Sequence, residues 1–282
     1  MEKQKRDWQE KERNQKNAKN TKYEKHNRKK NQEPKEWNEN QLEGRNAILE
    51  VLRSGRDIEK IFVAKGNVEG TIKRIIAIAA EKGVVIQEVS RQKLDELSQT
   101  KNHQGVIALV SAHDYVEVED ILAIAREKGE DPFVLLLDSI TDPHNLGAIL
   151  RTAECAGVHG VIIPKRRSVG LNATVGKTSA GAIEYMPVAR VTNIVHTMEY
   201  LKKEGLWIAC ADMKGLDHFD TNMKGPLGLV IGSEGDGVSR LVRENCDFTA
   251  SIPMYGKISS LNASVAAGLL MYEVVRQRRF GK

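Results

Sequence analysis

Ser251-Ile-Pro-Met-Tyr-Gly-Lys-Ile-Ser-Ser260-Leu-Asn-Ala-Ser-Val-Ala-Ala-Gly-Leu-Leu-Met-Tyr-Glu-Val-Val275, followed by Arg276-Gln-Arg-Arg279, is the stretch on which the fold turns. A short strand is expected at Phe248–Ile252, then a polar loop containing Gly256, then a helix opening near Ser260. Leu261, Val265, Leu269 and Tyr272 form one apolar stripe of that helix. Ala263, Ala267, Leu270, Met271 and Val274 fill its other faces. A helix apolar on nearly every face is expected to be buried. Its first turn carries Ser259, Ser260, Asn262 and Ser264, more hydroxyl and amide groups than one N-cap requires. Two readings are open: a buried terminal helix with a polar cap, or a binding loop held in place by a core helix.

Residues 132–282 alternate between strand-like and helix-like runs. Strands are placed at Phe133–Leu137, Gly160–Ile163, Tyr185–Val188, Leu206–Ala211, Leu227–Gly232 and Phe248–Ile252. Helices fall near 143–156, 172–180, 193–204, 238–245 and 260–278. Such alternation predicts an α/β domain with a parallel sheet and helices on both faces. Residues 41–112 read as a smaller α/β domain. It has a helix over Gly44–Leu52, a strand at Ile58–Ala64 and a helix from Thr71 to Lys82 closed by Gly83. A strand at Val84–Ile86, a helix at Arg91–Ser98 and a strand at Val106–Val110 complete it. Residues 113–131 read as a connector with a helix at Val118–Lys128. No internal repeat is present.

Charge divides the chain differently. Residues 1–40 hold 13 Lys/Arg against 8 Asp/Glu, and the remainder holds 30 of each, so the net +5 lies wholly in the leader. With few large apolar groups, residues 1–40 are expected to be a disordered basic tail. Such a tail suits phosphate-rich partners through counterion release, or serves only as a solubilising leader. No apolar run is long enough for a membrane span, and the charged N-terminus does not read as a secretory signal. Cys155, Cys210 and Cys246 are odd in number and far apart, each beside apolar residues. Buried thiols in a cytoplasmic protein are expected, not disulfides. No metal-ligand spacing appears, so no metal is expected.

Three polar stretches follow strands of the larger domain, where open α/β sheets bind ligands. In Leu137-Asp138-Ser-Ile-Thr-Asp142-Pro143-His144-Asn145-Leu146-Gly147, Asp142 and Pro143 suit an N-cap and first turn. His144 and Arg151 are then expected to share one helix face. An arginine inside this otherwise apolar helix calls for an acidic or phosphate partner, either a structural salt bridge or a ligand. In Gly232-Ser233-Glu234-Gly235-Asp236-Gly237 the glycines permit close backbone approach to a ligand. The spacing is neither a dinucleotide fingerprint nor a P-loop. Two acids there disfavour a polyphosphate and suit a cationic or hydroxyl-bearing ligand. The third stretch is the C-terminal one. In the smaller domain, Asn102-His103-Gln104-Gly105 reads on its own as a turn.

Taken together and in order, these stretches resemble the three motifs of the SpoU/TrmH branch of the SPOUT methyltransferases. The first is Asp142-Pro-His-Asn145-Leu-Gly147 with Arg151-Thr152. The second is Val230-Ile-Gly232-Ser-Glu234-Gly235. The third is Ile252-Pro253 with Ser260-Leu261-Asn262-Ala-Ser264-Val. Gly44-Arg45-Asn46-Ala47 and His103-Gln104-Gly105-Val106 resemble the ribosomal-protein-L30e-like RNA-binding domain of that branch. The combination is most similar to its bacterial large-subunit rRNA group.

The resemblance implies S-adenosyl-L-methionine as methyl donor and the 2′-hydroxyl of a guanosine in 23S rRNA, or in a ribosomal precursor, as acceptor. It also implies a deep C-terminal trefoil knot, an exception to the rule against threaded chains, and a homodimer. Cofactor contacts are expected at Gly232, Glu234, Ile252, Ser260 and Leu261, and RNA contacts at Arg45, His103 and Arg151. Catalytic roles fall to Arg151, Asn145, Glu234 and Asn262. Arginine side chains stay protonated, with a pKa of roughly 12.5 or more. A phosphate grip and oxyanion stabilisation therefore suit Arg151 better than base catalysis, and His144 becomes the alternative base. A tRNA substrate, or an RNA-binding assembly factor without catalysis, are the rival readings.

Overall fold

The computed structural model describes residues 40–54, 56–66 and 70–280. The expectation for the basic leader therefore lies outside the described residues, Asn40 excepted.

The smaller lobe comprises β1 (Gln41–Glu43), α1 (Arg45–Ser54), β2 (Ile58–Ala64), α2 (Thr71–Glu81), β3 (Ile86–Val89), α3 (Arg91–Leu97) and β4 (Val106–Val110). Its sheet order is β1-β4-β2-β3, with β4 antiparallel to β1 and β2, and β2 parallel to β3. Alternation along β2 and β4 sends Ile61, Val63, Val106 and Ala108 against Ile48 and Leu52 of α1 and Ile72 and Ile75 of α2. Two expectations shift. β1, only three residues long, carries too weak a pattern to be read from sequence. β3 begins two residues later than expected because Val84 N bonds back to Ala79 O at 2.8 Å. That bond belongs to the helix terminus, so Val84 is unavailable to the ladder.

The larger lobe comprises α4 (Val118–Lys128), β5 (Phe133–Leu137), α5 (Pro143–Cys155), β6 (Gly160–Pro164), α6 (Ala173–Thr178), β7 (Val188–Val191), α7 (Ile194–Lys203), β8 (Trp207–Asp217), β9 (Leu227–Ile231), α8 (Arg240–Glu244), β10 (Phe248–Ser251) and α9 (Ala263–Phe280). All six strands are parallel, in the order β10-β8-β9-β5-β6-β7. β5 and β9 are buried at every residue, as the continuous apolar runs of a doubly covered parallel strand require. α5, α6 and α9 cover one face through Leu146, Ile149, Val175, Ala267 and Leu270. α4, α7 and α8 cover the other through Ile121, Leu122, Met198, Leu201 and Val242. α4, read from sequence as part of a connector, thus belongs to this core.

Strand boundaries moved where local hydrogen bonds compete. A 3₁₀ turn at Ala182–Glu184 holds Met186 N to Ala182 O. β7 therefore starts at Val188, leaving Tyr185 exposed. Cys210 is buried and Cys246 half-buried, but Cys155 lies on the exposed side of α5. The larger correction concerns α9. Its helix begins at Ala263, and the stripe Val265, Leu269 and Tyr272 faces outward, 46–50% exposed. The small and medium residues Ala263, Ala267, Leu270, Met271 and Val274 face the core instead. Small side chains allow close helix approach: a Cβ on Gly268 would lie 3.6 Å from Thr152 of α5.

Candidate active site

β5 and β9 are adjacent, while the chain leaves them toward opposite flanks of the sheet. Their C-terminal loops therefore open a crevice at a switch point, the usual ligand position in such sheets. Asp142 caps α5 by accepting from His144 N at 2.9 Å, with Pro143 in the first turn. This points Asn145 into the crevice, where it is 7% exposed. Asn145 Nδ2 donates to Glu234 Oε1 at 2.9 Å. Asn262 Nδ2 donates to Asn145 Oδ1 at 2.9 Å and also reaches Glu234 Oε1. The other end of Asn262 caps α9: its Oδ1 accepts from Ser264 N at 3.0 Å and Ser264 Oγ at 2.6 Å. One residue from each motif stretch thus joins a single amide–carboxylate set.

The loop after β9 folds back on itself. Ser233 N donates to Gly237 O at 3.1 Å, and Gly237 N to Ser233 O at 3.0 Å. A Cβ on Gly232 would stand 2.1 Å from the carbonyl carbon of Gly237, so only glycine permits this turn. Asp138 anchors the far side. Its buried carboxylate accepts from Ser239 N at 2.7 Å. Asp138 lies outside the three motifs; its signal in the sequence is an acid directly after a fully apolar strand.

Beneath these loops lies a cavity of about 340 Å³, within the range of small-molecule sites. Gly232, Glu234, Ile252, Ser260 and Leu261 all line it, together with Asp212. Every expected cofactor residue is therefore brought to one cavity. Ile231, Ile252, Met254 and Leu261 supply an apolar wall suited to a flat ring, while Glu234 and Asp236 bring carboxylates suited to a cation. Asp212 is held below the usual carboxylate range by hydrogen bonding to Lys214 N, which outweighs burial, and by Arg243. Its side chain pairs with Arg243 at 2.9 Å.

Arg151 and His144 are exposed on the same helix that buries Asn145. Among the described residues the Arg151 side chain forms no hydrogen bond or ion pair. The structural salt bridge considered from sequence is therefore absent there, and its guanidinium is free for an anion.

In the small lobe, Arg45 N donates to Gln104 Oε1 at 3.1 Å and its Nε to Gln104 O at 3.2 Å. His103, expected as an RNA contact, lines the same open groove as Arg45 but is itself largely buried. It is 4% exposed, its Nδ1 accepts from Gly105 N at 3.0 Å, and its Nε2 lies 2.9 Å from Asp95. That bonding leaves the proton on Nε2. Beside it, Arg45, Lys65, Arg91 and Lys101 border an open groove of about 730 Å³. No group of three or more metal-binding side chains occurs among the described residues.

Comparison with known proteins matches two family models to the chain. One, the SpoU rRNA Methylase family, covers residues 132–272; the other, RNA 2′-O ribose methyltransferase substrate binding, covers 41–116. YacO of Bacillus subtilis (strain 168), provisionally named a TrmH family tRNA/rRNA methyltransferase, is 53% identical over 237 residues. The match covers 83% of this chain and 94% of YacO. A Staphylococcus saprophyticus protein with the same provisional name is 48% identical over 240 residues, covering 84% and 95%. Among solved structures, the SpoU methyltransferase AviRb from Streptomyces viridochromogenes aligns with a TM-score of 0.55 at 26% identity, covering 86% of this chain and 90% of that one. AviRb in complex with the cofactor AdoMet aligns with a TM-score of 0.53 at 25% identity, covering 84% and 89%.

Proposed function

The chain belongs to the SpoU rRNA methylase family, and from that premise we propose that it methylates the ribose 2′-oxygen of a guanosine in 23S rRNA. At the coarser level it is an S-adenosylmethionine-dependent RNA methyltransferase of the SpoU/TrmH family. The observation that supports transfer to a ribose hydroxyl is the hydrogen-bonded set Asn145–Glu234–Asn262, with Arg151, unpartnered among the described residues, exposed on the same helix as Asn145. When bound, S-adenosylmethionine supplies an electrophilic methyl group on a sulfonium. Gly232, Ile252, Ser260 and Leu261 are the residues that would hold it, with the Glu234 carboxylate favouring its positive charge.

The chain's own residues then have to position a poor nucleophile. Aligning a ribose oxygen with the methyl group is worth much of the barrier in such bimolecular transfers. Asn145 and Asn262 fix Glu234, leaving Glu234 Oε2 open to the ligand side. Arg151 grips the phosphate next to the target ribose and stabilises negative charge growing on the 2′-oxygen. A ring nitrogen of His144, exposed on the same helix, accepts the departing proton.

The same reading assigns the segment Ile252–Asn262 to a threaded, trefoil-knotted chain and α9 to a homodimer interface. The outward stripe Val265, Leu269 and Tyr272 supports the dimer. It places the enzyme in the cytoplasm, with the basic leader adding RNA affinity without sequence choice. The small lobe's match to the substrate-binding model supports an RNA substrate. The relatives' names, which print both tRNA and rRNA, keep tRNA as the second reading.

The test is methyl transfer by the purified protein to 23S rRNA and to tRNA from a deletion strain, with modified riboses mapped. A single 2′-O-methylguanosine in 23S rRNA is expected. Transfer only to tRNA moves the substrate. Transfer to neither, with RNA still bound, favours an assembly factor.

A further inference from the structure

The loop after β6, Lys165–Leu171, lies outside the three motifs. It carries Arg166 and Arg167, both exposed at the carboxyl end of the sheet, and neither side chain forms an ion pair or hydrogen bond among the described residues. Its backbone is unusual. Arg167 has φ 59° and Ser139, at the end of the adjacent β5, has φ 65°. Left-handed backbone is uncommon for residues other than glycine and clusters at functional sites. Val169 N donates to Ile140 O at 2.9 Å, tying this loop to the one that runs into Asp142 and Asn145.

Both ends of the loop are held by a buried polar cluster drawn from three parts of the chain. Glu59 of β2 and Arg190 of β7 pair at 3.0 Å, with side chains only 12% and 11% exposed. Arg190 also donates to Lys165 O at 3.4 Å and to Glu59 O at 2.9 Å. Tyr115 donates its hydroxyl to Glu59 and accepts from Leu171 N at 2.9 Å, with the Arg190 guanidinium 5.4 Å from its ring centre. Burial, with the Glu59 charge, pushes the Tyr115 hydroxyl well above the usual phenol range, so it stays a donor. Gly170 has no room for a side chain: a Cβ would stand 1.9 Å from Glu59 Oε2. Glu59 of the small lobe thus braces Arg190 and Tyr115, the two residues that hold the start and the end of the loop.

A buried ion pair is a poor source of stability, since desolvation offsets much of the attraction. A geometric role explains it better: it holds a loop tied to the segment that leads into α5, with Arg166 and Arg167 unneutralised among the described residues. We propose that Lys165–Leu171 is a second RNA-contact element, in which Arg166 and Arg167 grip phosphates flanking the target nucleotide. Glu59, Arg190 and Tyr115 act as positioning residues for it. The inference rests on the RNA methyltransferase reading.

The experiment compares the full-length protein with an Arg166→Ala/Arg167→Ala variant in methyl transfer and in direct RNA binding. KM for RNA should rise roughly ten-fold, the worth of two screened ion contacts. kcat at saturating RNA and S-adenosylmethionine binding should stay unchanged. The slope of log affinity against log salt should fall by about 1.4 to 1.8, as two lost phosphate contacts predict. Unchanged KM and salt slope would overturn the proposal. The positioning part is tested with Tyr115→Phe, which keeps the ring and removes only the hydroxyl. Alone it should raise KM, and added to the double variant it should raise it no further. Full additivity would show that the cluster does not act through the loop. If the wild-type protein methylates no RNA, the parent reading fails, and RNA binding alone still decides the fate of the loop.

Discussion

Asn262 donates its side-chain amide to Asn145 Oδ1 at 2.9 Å, joining residues 117 positions apart in the chain. Both amides also converge on one oxygen of Glu234. This makes Asn145 irreplaceable by its nearest isostere. Asn145→Asp would set a carboxylate against Glu234, and two facing acids cannot both ionise readily. A fall in kcat of roughly 10²–10³ is expected, the usual penalty for losing one preorganised polar group. Calorimetric S-adenosylmethionine affinity should change far less. Comparable losses in both would make Asn145 a structural residue.

Among the described residues Arg151 has no partner to lose, so its removal should leave the fold intact. Arg151→Ala should abolish measurable transfer to RNA, with thermal stability within about 0.5 kcal/mol of wild type. Arg151→Lys retains the charge without the planar fork and should recover only a small part of the rate. His144→Ala should lower the rate of methyl transfer while leaving S-adenosylmethionine binding intact. A full rate for that variant would assign the proton to another acceptor.

Legibility of the sequence followed the strength of its local patterns. β5, with five consecutive apolar residues, and α5, with an Asp–Pro start, were readable to within a residue. The lining of the cavity beneath the crevice loops was readable because its residues sit in short contiguous motifs that open at strand ends. What could not be read depends on contacts distant in sequence. The outward turn of Val265, Leu269 and Tyr272 depends on which face of α9 meets α5. The burial of His103 depends on Asp95, and the Glu59–Arg190 pair spans the two lobes. An apolar stripe announces a helix surface that avoids water but does not say which surface covers it.

That stripe yields its own prediction. Val265, Leu269 and Tyr272 are 46–50% exposed on one side of α9, a contiguous apolar face of the kind that marks association. Leu269→Glu places a charge at its centre. Sedimentation should show wild type as a dimer and the variant as a monomer. A monomeric wild type at micromolar concentration would remove the homodimer.

The loop after β9 allows a paired test. A Cβ at Gly232 would lie 2.1 Å from Gly237 backbone, whereas one at Gly235 meets nothing within 4 Å. Gly232→Ala should raise the Kd for S-adenosylmethionine by about ten-fold or more, because backbone atoms have to move. Gly235→Ala in the same loop should bind nearly as wild type. Equal effects of the two substitutions would mean that the close approach at Gly232 does not shape the cavity.

Glu43, at the end of β1, gathers the turn that precedes His103 and Gln104. Its carboxylate accepts from Gln99 N at 2.5 Å, Ser98 Oγ at 2.7 Å and Gln41 Nε2 at 2.7 Å, and from the Thr100 hydroxyl. Burial alone would raise its pKa, but these donors outweigh it and draw the value down to about 2 from 4.5. A group with a depressed folded-state pKa contributes stability that is fully present above its unfolded value and is lost as pH falls toward the folded one. The small lobe should therefore lose this contribution between about pH 4.5 and pH 2. Glu43→Gln replaces one acceptor oxygen by an NH₂ group facing the same donors. It should destabilise the protein by about 1.5–3 kcal/mol at pH 7, the range for hydrogen bonds to a charged group. Urea unfolding followed from pH 7 to pH 3 should show the wild-type and variant curves converging on the acid side. Curves that stay parallel over that range would mean that the Glu43 charge does not hold the turn.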